Sequence, residues 1–202
     1  MKSHTLELVD LVVGREDAAL TAPITLTLEG GSLLAIHGSN GAGKSTLLKT
    51  VAGLLRPVSG KIRVNGAWPA ATPPLYAGHK RGLTPSLSVY DNVAFWARAA
   101  GCPELIPAAL HYFDLSDIPD ATVESLSAGW QQRVALTRLI TMQASLWLLD
   151  EPTSNLDAGG VELLHRLIET RLEQGGMVLI ASHHTLDGPR VRKLALSANA
   201  CV

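Results

Sequence analysis

The chain has only two cysteines in 202 residues, Cys102 and Cys201, and neither sits in a CxxC pair or a CxxCH run. Their isolation excludes a disulfide scaffold, a cysteine-based zinc site and covalently attached haem, and it suits a reducing compartment. Cys201 is next to last, so it is not a prenylation signal. No sign of charge dominates: 17 Lys+Arg stand against 18 Asp+Glu, a formal charge of −1. A sequence-independent nucleic-acid binder carries a basic excess, so no nucleic-acid partner is expected. Long apolar runs are absent as well. The mean hydropathy is +0.19, yet no segment approaches the roughly 18–20 apolar residues that cross a bilayer. A secretory signal core is not expected either, because Glu7 and Asp10 interrupt the apolar stretch from Leu6 to Val13. There is no internal repeat and no low-complexity tract. Aromatics are scarce at 4%, but 47% of the residues are hydrophobic and 17% charged, which excludes compositional disorder. The length suffices for one sizeable domain or a two-lobed one.

Apolar periodicity then organises the chain. Ile24 to Leu28 and Lys61 to Val64 alternate apolar and polar, as half-buried strands do. Leu33 to Ile36, Leu146 to Leu149 and Val178 to Ala181 are continuous apolar runs, the mark of strands buried on both faces. Helical stretches lie between them, at Thr46 to Leu55, Gln131 to Met142 and Val161 to Leu172. Val89, Val93 and Trp96 share one helical face. This alternation predicts an α/β layer fold with a parallel sheet. The expected organisation is a single domain over residues 1–202, with a helical subdomain of about 83–132 inserted in the sheet, since no buried strand is readable there.

Gly38-Ser39-Asn40-Gly41-Ala42-Gly43-Lys44-Ser45 fits G-x-x-x-x-G-K-[ST], with a buried strand before it and a helix from Thr46 after it. Glycines let the backbone turn several N–H groups inward onto phosphate oxygens. The helix N-terminus adds roughly half a positive charge. Lys44 is expected to reach the β- and γ-phosphates and Ser45 to ligate Mg²⁺. The nucleotide contacts are thus expected from Gly38 through Thr46. A chance glycine-rich turn would not need this flanking pattern. Downstream, Leu146 to Leu149 ends in Asp150-Glu151, and strand ends are where open α/β sheets place ligands. Alone, Asp-Glu-Pro is an ordinary strand exit. Paired with the phosphate loop, it divides into Asp150 for the Mg²⁺ shell and Glu151 for the attacking water.

Further runs carry a family resemblance. Leu126-Ser127-Ala128-Gly129-Trp130 is similar to the LSGGQ signature, Ser154-Asn155-Leu156-Asp157 to a D-loop, and His183 to a switch histidine. His79 stands where a Q-loop glutamine is usual. In this order, over about residues 5 to 187, the set resembles the ATP-binding subunits of ABC transporters. The resemblance implies a phosphate-loop ATPase core with an antiparallel β edge region. It also implies two subunits packed head to tail around two ATP molecules, as a homodimer because one set of motifs is present. Ser127, Ala128 and Gly129 would then face the γ-phosphate across the interface, with Glu151, His183 and His79 as catalytic groups. ATP and Mg²⁺ are the implied cofactors.

Three positions depart from the family pattern. Arg15 stands where many relatives carry an adenine-stacking aromatic; its guanidinium either stacks on the base or is a plain exposed turn residue. His79 either contacts the water and metal shell or packs at the lobe junction. Trp130 suits an interface or core anchor better than a phosphate ligand. His37 reads as a core histidine with its bonds satisfied, and His184 as a solvated neighbour of His183.

Gly78-His79, the run Leu126 to Arg133 (LSAGWQQR), the His-Gly-Ser-Asn-Gly-Ala-Gly-Lys loop and an end soon after His183 resemble one subfamily in particular. It is the ATP-binding subunits of the cytochrome c maturation haem exporter, the CcmA family. That implies integral membrane permease subunits as partners, a peripheral location on the cytoplasmic face of the bacterial inner membrane, and no direct haem contact. A soluble ABC ATPase of iron–sulfur cluster assembly would share every motif. A DNA-repair or chromosome-organising ATPase would need long coiled coils between Lys44 and Asp150, and no heptads occur there.

Overall fold

Leu6 and Leu8 are buried on alternate positions of β1 (Thr5–Val12), but the alternation slips at Val9-Asp10. Asp10 has φ 47, and the register with both neighbouring strands shifts between Leu8 and Val12, the sign of a β-bulge. Thr25 holds the bulge: its Oγ1 accepts from Asp10 N and donates to Asp10 Oδ1, each at 2.9 Å. The computed structural model describes residues 4–15, 18–71, 73–182 and 188–197. After β1 come β2 (Gly14–Arg15), β3 (Ala18–Ala19), β4 (Ile24–Glu29), β5 (Leu33–His37), α1 (Lys44–Val51), β6 (Ser59–Val64) and β7 (Leu75–Ala77). Then follow α2 (Val89–Ala99), α3 (Ile106–Tyr112), α4 (Ala128–Leu136), α5 (Arg138–Thr141), β8 (Leu146–Asp150), α6 (Ala158–Glu173), β9 (Met177–Ala181) and β10 (Val191–Ala195).

The chain divides into two compact units, one of residues 1–78, 144–151 and 169–202, the other of 79–143 and 152–168. The first unit holds an antiparallel sheet ordered β4-β1-β6, a parallel sheet ordered β10-β5-β9-β8-β7 and the hairpin β2-β3. This is the mixed α/β architecture expected. The apolar runs at 33–36, 146–149 and 178–181 are the three central parallel strands, with β8 and β9 buried at every position. Both alternating runs lie in the antiparallel sheet. Besides the two-residue strands of the hairpin, three strands lack a readable pattern. β1 is interrupted by its own bulge. β7 spans three residues behind Pro73-Pro74. β10 exposes Arg192 and Lys193 along the sheet edge.

One aliphatic core joins both sheets. Leu47, Leu48 and Val51 of α1 belong to the same buried cluster as Leu6 and Leu8 of β1, Leu34 and Ile36 of β5, and Leu146 and Leu148 of β8. α1 stops at Val51, earlier than the Leu55 expected, because Gly53 turns left-handed at φ 76.

Among the described residues, the regular structure of the second unit is helical apart from one isolated bridge, Ser88 with Thr122. Val89, Val93, Ala94 and Ala97 of α2, Ile106, Ala109 and Leu110 of α3, and Leu136 and Leu139 of α4 and α5 are buried. The single helix expected over 131–142 is two, α4 and α5. Thr137 interrupts it, donating its hydroxyl to Val134 O at 2.6 Å, a back-bond that competes with the regular ladder. Ser88 caps α2 by accepting from Asp91 N at 3.0 Å. Asn92, 4% exposed, then serves the preceding loop. Its Oδ1 accepts from Thr84 N at 2.8 Å, and its Nδ2 donates to Thr84 O at 3.1 Å and Ser88 O at 2.9 Å. Asn92→Ala strands these buried backbone groups. It should lower unfolding stability by about 2 kcal/mol in urea titrations, whereas Asp91→Ala, at the exposed cap, should cost less.

Candidate nucleotide-binding site

α1 is driven into the core by Leu47, Leu48, Thr50 and Val51, all at or near 0% exposure. This fixes where its N-terminus points. Gly43 precedes it at φ 95, a left-handed conformation that a side chain would strain, and Leu47 N donates to Gly43 O at 2.7 Å. The first turn has no acidic residue, so the positive end of the helix is left for an anion. Lys44 Nζ bridges the loop from inside, donating to Gly38 O at 2.6 Å and Ser39 O at 3.2 Å.

The loop opens onto a cavity of about 220 Å³. Ser39, Asn40, Gly41, Gly43, Lys44, Ser45 and Thr46 line one side, and Asp150 and Glu151 another. Arg15 and Leu20 close it from the β2-β3 hairpin, with Arg15 exposed. Two of the loop residues expected at the nucleotide are not in the lining. Gly38 contributes its carbonyl to Lys44. Ala42 turns its methyl into the core, 1% exposed, and its N–H donates to Ser39 O at 3.2 Å.

Asp150 closes β8 at 7% exposure, and both its oxygens are engaged. Ser45 Oγ donates to Oδ1 at 3.0 Å and Tyr76 Oη to Oδ2 at 3.2 Å. Burial, and then the adjacent Asp150 carboxylate, push the Tyr76 phenol well above its ordinary value, so it is a fixed donor. Glu151 adopts φ 51 while its N–H donates to Ala181 O at 2.9 Å. A non-glycine residue held there costs about 1–3 kcal/mol, and such strain gathers at working sites. Leu20 and Tyr76 are site residues that no contiguous motif marks. His37, at the end of β5, differs from the expectation for it: its buried Nε2 has no hydrogen-bond partner among the described residues.

The other expected residues lie in the second unit. Ser127 caps α4, accepting from Trp130 N at 3.4 Å, and Ala128 and Gly129 form the first turn. Arg133, its side chain 9% exposed, pairs with Asp157 at 2.9 Å and Asp114 at 2.5 Å. Its guanidinium also covers the exposed Trp130 ring, 5.1 Å from the centroid. Burial opposes the charge on Arg133, but the bonds to Asp157 and Asp114 prevail and raise its pKa. Asp157 also accepts from Gly160 N at 2.9 Å at the start of α6. Arg133 first, then this N–H, holds the Asp157 carboxyl below the usual carboxylate range. His79 is exposed and borders a groove of about 390 Å³ with Arg81, Leu83 and Gln131; it is not among the residues lining the phosphate-loop cavity. His183 and His184 lie outside the described residues.

A glycine-rich loop between a buried strand and a helix, facing a strand-end carboxylate pair, defines a phosphate-loop nucleoside triphosphatase. The ABC transporter family model matches residues 21–154. The chain is 41% identical over 179 residues to the cytochrome c biogenesis ATP-binding export protein CcmA of Ruegeria pomeroyi, covering 89% of this chain and 85% of that one. It is 39% identical over 194 residues to the CcmA of Rhodospirillum rubrum, covering 93% and 83%. For the CcmA of Mannheimia succiniciproducens the figures are 35% over 203 residues, 96% and 94%. Among solved structures, a Pyrococcus furiosus ABC transporter ATP-binding protein superposes with a TM-score of 0.84 at 29% identity, covering 95% and 97%. An ATP-binding subunit of an ABC transporter gives 0.79 at 26% identity, covering 88% and 79%. The chain belongs to the ABC transporter family as an ATP-binding subunit that hydrolyses ATP.

Two outcomes follow. Lys44→Ala removes the cation inside the loop and should weaken ATP binding at least about tenfold by calorimetry, since charge-assisted bonds to phosphate are lost. A carboxylate with a depressed folded-state pKa stabilises the fold above its unfolded value, near 3.9, and loses that contribution as pH falls through the depressed one. Asp157→Asn should therefore flatten the acid limb of a melting-temperature profile below about pH 4 and leave a lower plateau at neutral pH.

Proposed function

We propose that this ATPase subunit drives a membrane complex of cytochrome c biogenesis, exporting haem or releasing a haem-loaded chaperone. The observation that carries this reading is the similarity of nearly the whole chain to proteins named as cytochrome c biogenesis export proteins. Gly78-His79 and the run Leu126 to Arg133 add to it. No helix among the described residues is long and apolar enough to cross a membrane. The proposed location is therefore peripheral, on the cytoplasmic face of the inner membrane, held there by permease subunits. The cargo would be handled by those partners, without haem contact by this chain.

In the proposed mechanism two copies pack head to tail, so that Ser127, Ala128 and Gly129 of one copy meet the nucleotide held by Gly38 to Thr46 of the other. Lys44 neutralises the β- and γ-phosphates, and Arg15 lies against the base. Ser45 and Asp150 suit Mg²⁺. Their donors are all hard oxygens, 3.0 Å apart beside the phosphate loop, and no cluster of three His, Cys, Asp or Glu among the described residues competes as a metal site. Bound there, Mg²⁺ would neutralise charge on the transferred phosphoryl group. Glu151 accepts a proton from the attacking water. His183 steadies the γ-phosphate, and His79 is the remaining catalytic group proposed.

Glu151→Gln should retain ATP affinity and dimerise on ATP while steady-state hydrolysis falls at least about 100-fold. Near-normal turnover would contradict the role of Glu151. The cellular reading is checked by affinity capture from detergent-solubilised bacterial membranes, with and without ATP. Recovery of cytochrome c maturation permease subunits is the expected result. A different permease would keep the motor and change the cargo. Recovery only from the soluble fraction would favour an assembly ATPase of the iron–sulfur type.

A further inference from the structure

We propose that Tyr76 is a positioning residue for the metal-binding carboxylate, acting through Asp150. The proposal rests on the assignment of Asp150 to the Mg²⁺ shell. Tyr76 lies on β7, which pairs in parallel with β8, with Tyr76 opposite Leu148. Its ring packs against the aliphatic core, and its hydroxyl donates to Asp150 Oδ2. A phenylalanine would fill the same space without the donor, so packing alone does not call for tyrosine.

The neighbouring backbone is shaped around this ring. A Cβ at Gly78 would sit 2.5 Å from Tyr76 Cε1, Cζ and Oη. The phenol therefore folds back over position 78, and any side chain there would displace it. Gly78 and Tyr76 together deliver one hydroxyl to one carboxylate oxygen. The division of labour at Asp150 gives that hydroxyl its purpose. Ser45 takes Oδ1, and the Ser45 hydroxyl is also a candidate metal ligand. A hydroxyl that ligates a metal does so through a lone pair and can still donate its proton, so Ser45 on Oδ1 and Tyr76 on Oδ2 would each hold one oxygen and together fix the carboxylate plane. Groups that orient a metal-binding carboxylate in this way typically alter metal affinity by about 10–100-fold when removed.

The test uses the full chain and a fluorescent, non-hydrolysable ATP analogue, with affinity measured in excess Mg²⁺ and in EDTA. Tyr76→Phe should lose about tenfold of the Mg²⁺-dependent tightening, with the EDTA affinity and the melting temperature in EDTA unchanged. Tightening that is intact or enhanced in Tyr76→Phe, or an equal loss in EDTA, overturns the proposal. Asp150→Asn separates the two levels. If it keeps the tightening, the metal assignment fails and the role of Tyr76 with it. If Asp150→Asn loses the tightening and Tyr76→Phe keeps it, only the role of Tyr76 fails. Gly78→Ala keeps the hydroxyl in the chain but displaces it, and should shift Mg²⁺ dependence in the same direction. If Tyr76→Phe does not fold, an unshifted Gly78→Ala overturns the proposal by itself.

Discussion

The site depends on the burial of a helix only eight residues long. Isolated, α1 would be too short to hold its shape in water. Six of its residues are buried, and Leu47, Leu48 and Val51 lock into the core shared by both sheets. Tertiary packing therefore supplies the rigidity that helix propensity cannot. This packing sets where the N–H groups at its start, the Lys44 ammonium and the left-handed turn at Gly43 lie. The opposite wall is set in the same way, by β8 running fully buried to Asp150. Two buried elements thus place a cationic loop and an acidic pair across a small cavity.

How much of this is readable from residue order depends on the range of each interaction. The phosphate loop, Asp150-Glu151 and the run from Leu126 are contiguous, and their chemistry is local, so they stand out without a structure. The central parallel strands are equally plain because burial on both faces leaves no polar position. Tyr76 is different. Its hydroxyl meets Asp150 across 74 positions of sequence, and nothing near it marks that contact. Leu20 reaches the cavity only because the β2-β3 hairpin folds it there. β10 was hidden for a related reason: its parallel pairing with β5 is set by the backbone, while Arg192 and Lys193 remove the apolar pattern. The break at Thr137 coincides with a hydroxyl back-bond to Val134 O, which periodicity does not record.

Within the helical unit, α4 is held by polar bonds as well as by the buried Val134, Ala135 and Leu136. Arg133 ties it to Asp157 and Asp114, and Gln132 Nε2 donates to Pro152 O at 3.0 Å. Arg81 donates to the side chains of Gln131 and Gln132 at 2.8 and 3.2 Å. Arg138 donates to Arg81 O; burial lowers its pKa to about 10, which leaves it charged at neutral pH. Arg81, Arg138 and the middle of α4 therefore share one polar lattice. Polar networks with every member satisfied favour one arrangement over many.

The edges of the parallel sheet carry a consequence for solubility. An open strand edge is a template on which another chain can add a strand. Here one edge, β7, offers three residues behind a pair of prolines, and the other, β10, presents Arg192 and Lys193. A strand laid along either would find only three residues to pair with or a cation on each face of the edge. Such edges act as gatekeepers against amyloid-like stacking, and they leave the sheet free to be as apolar inside as β8 and β9 are.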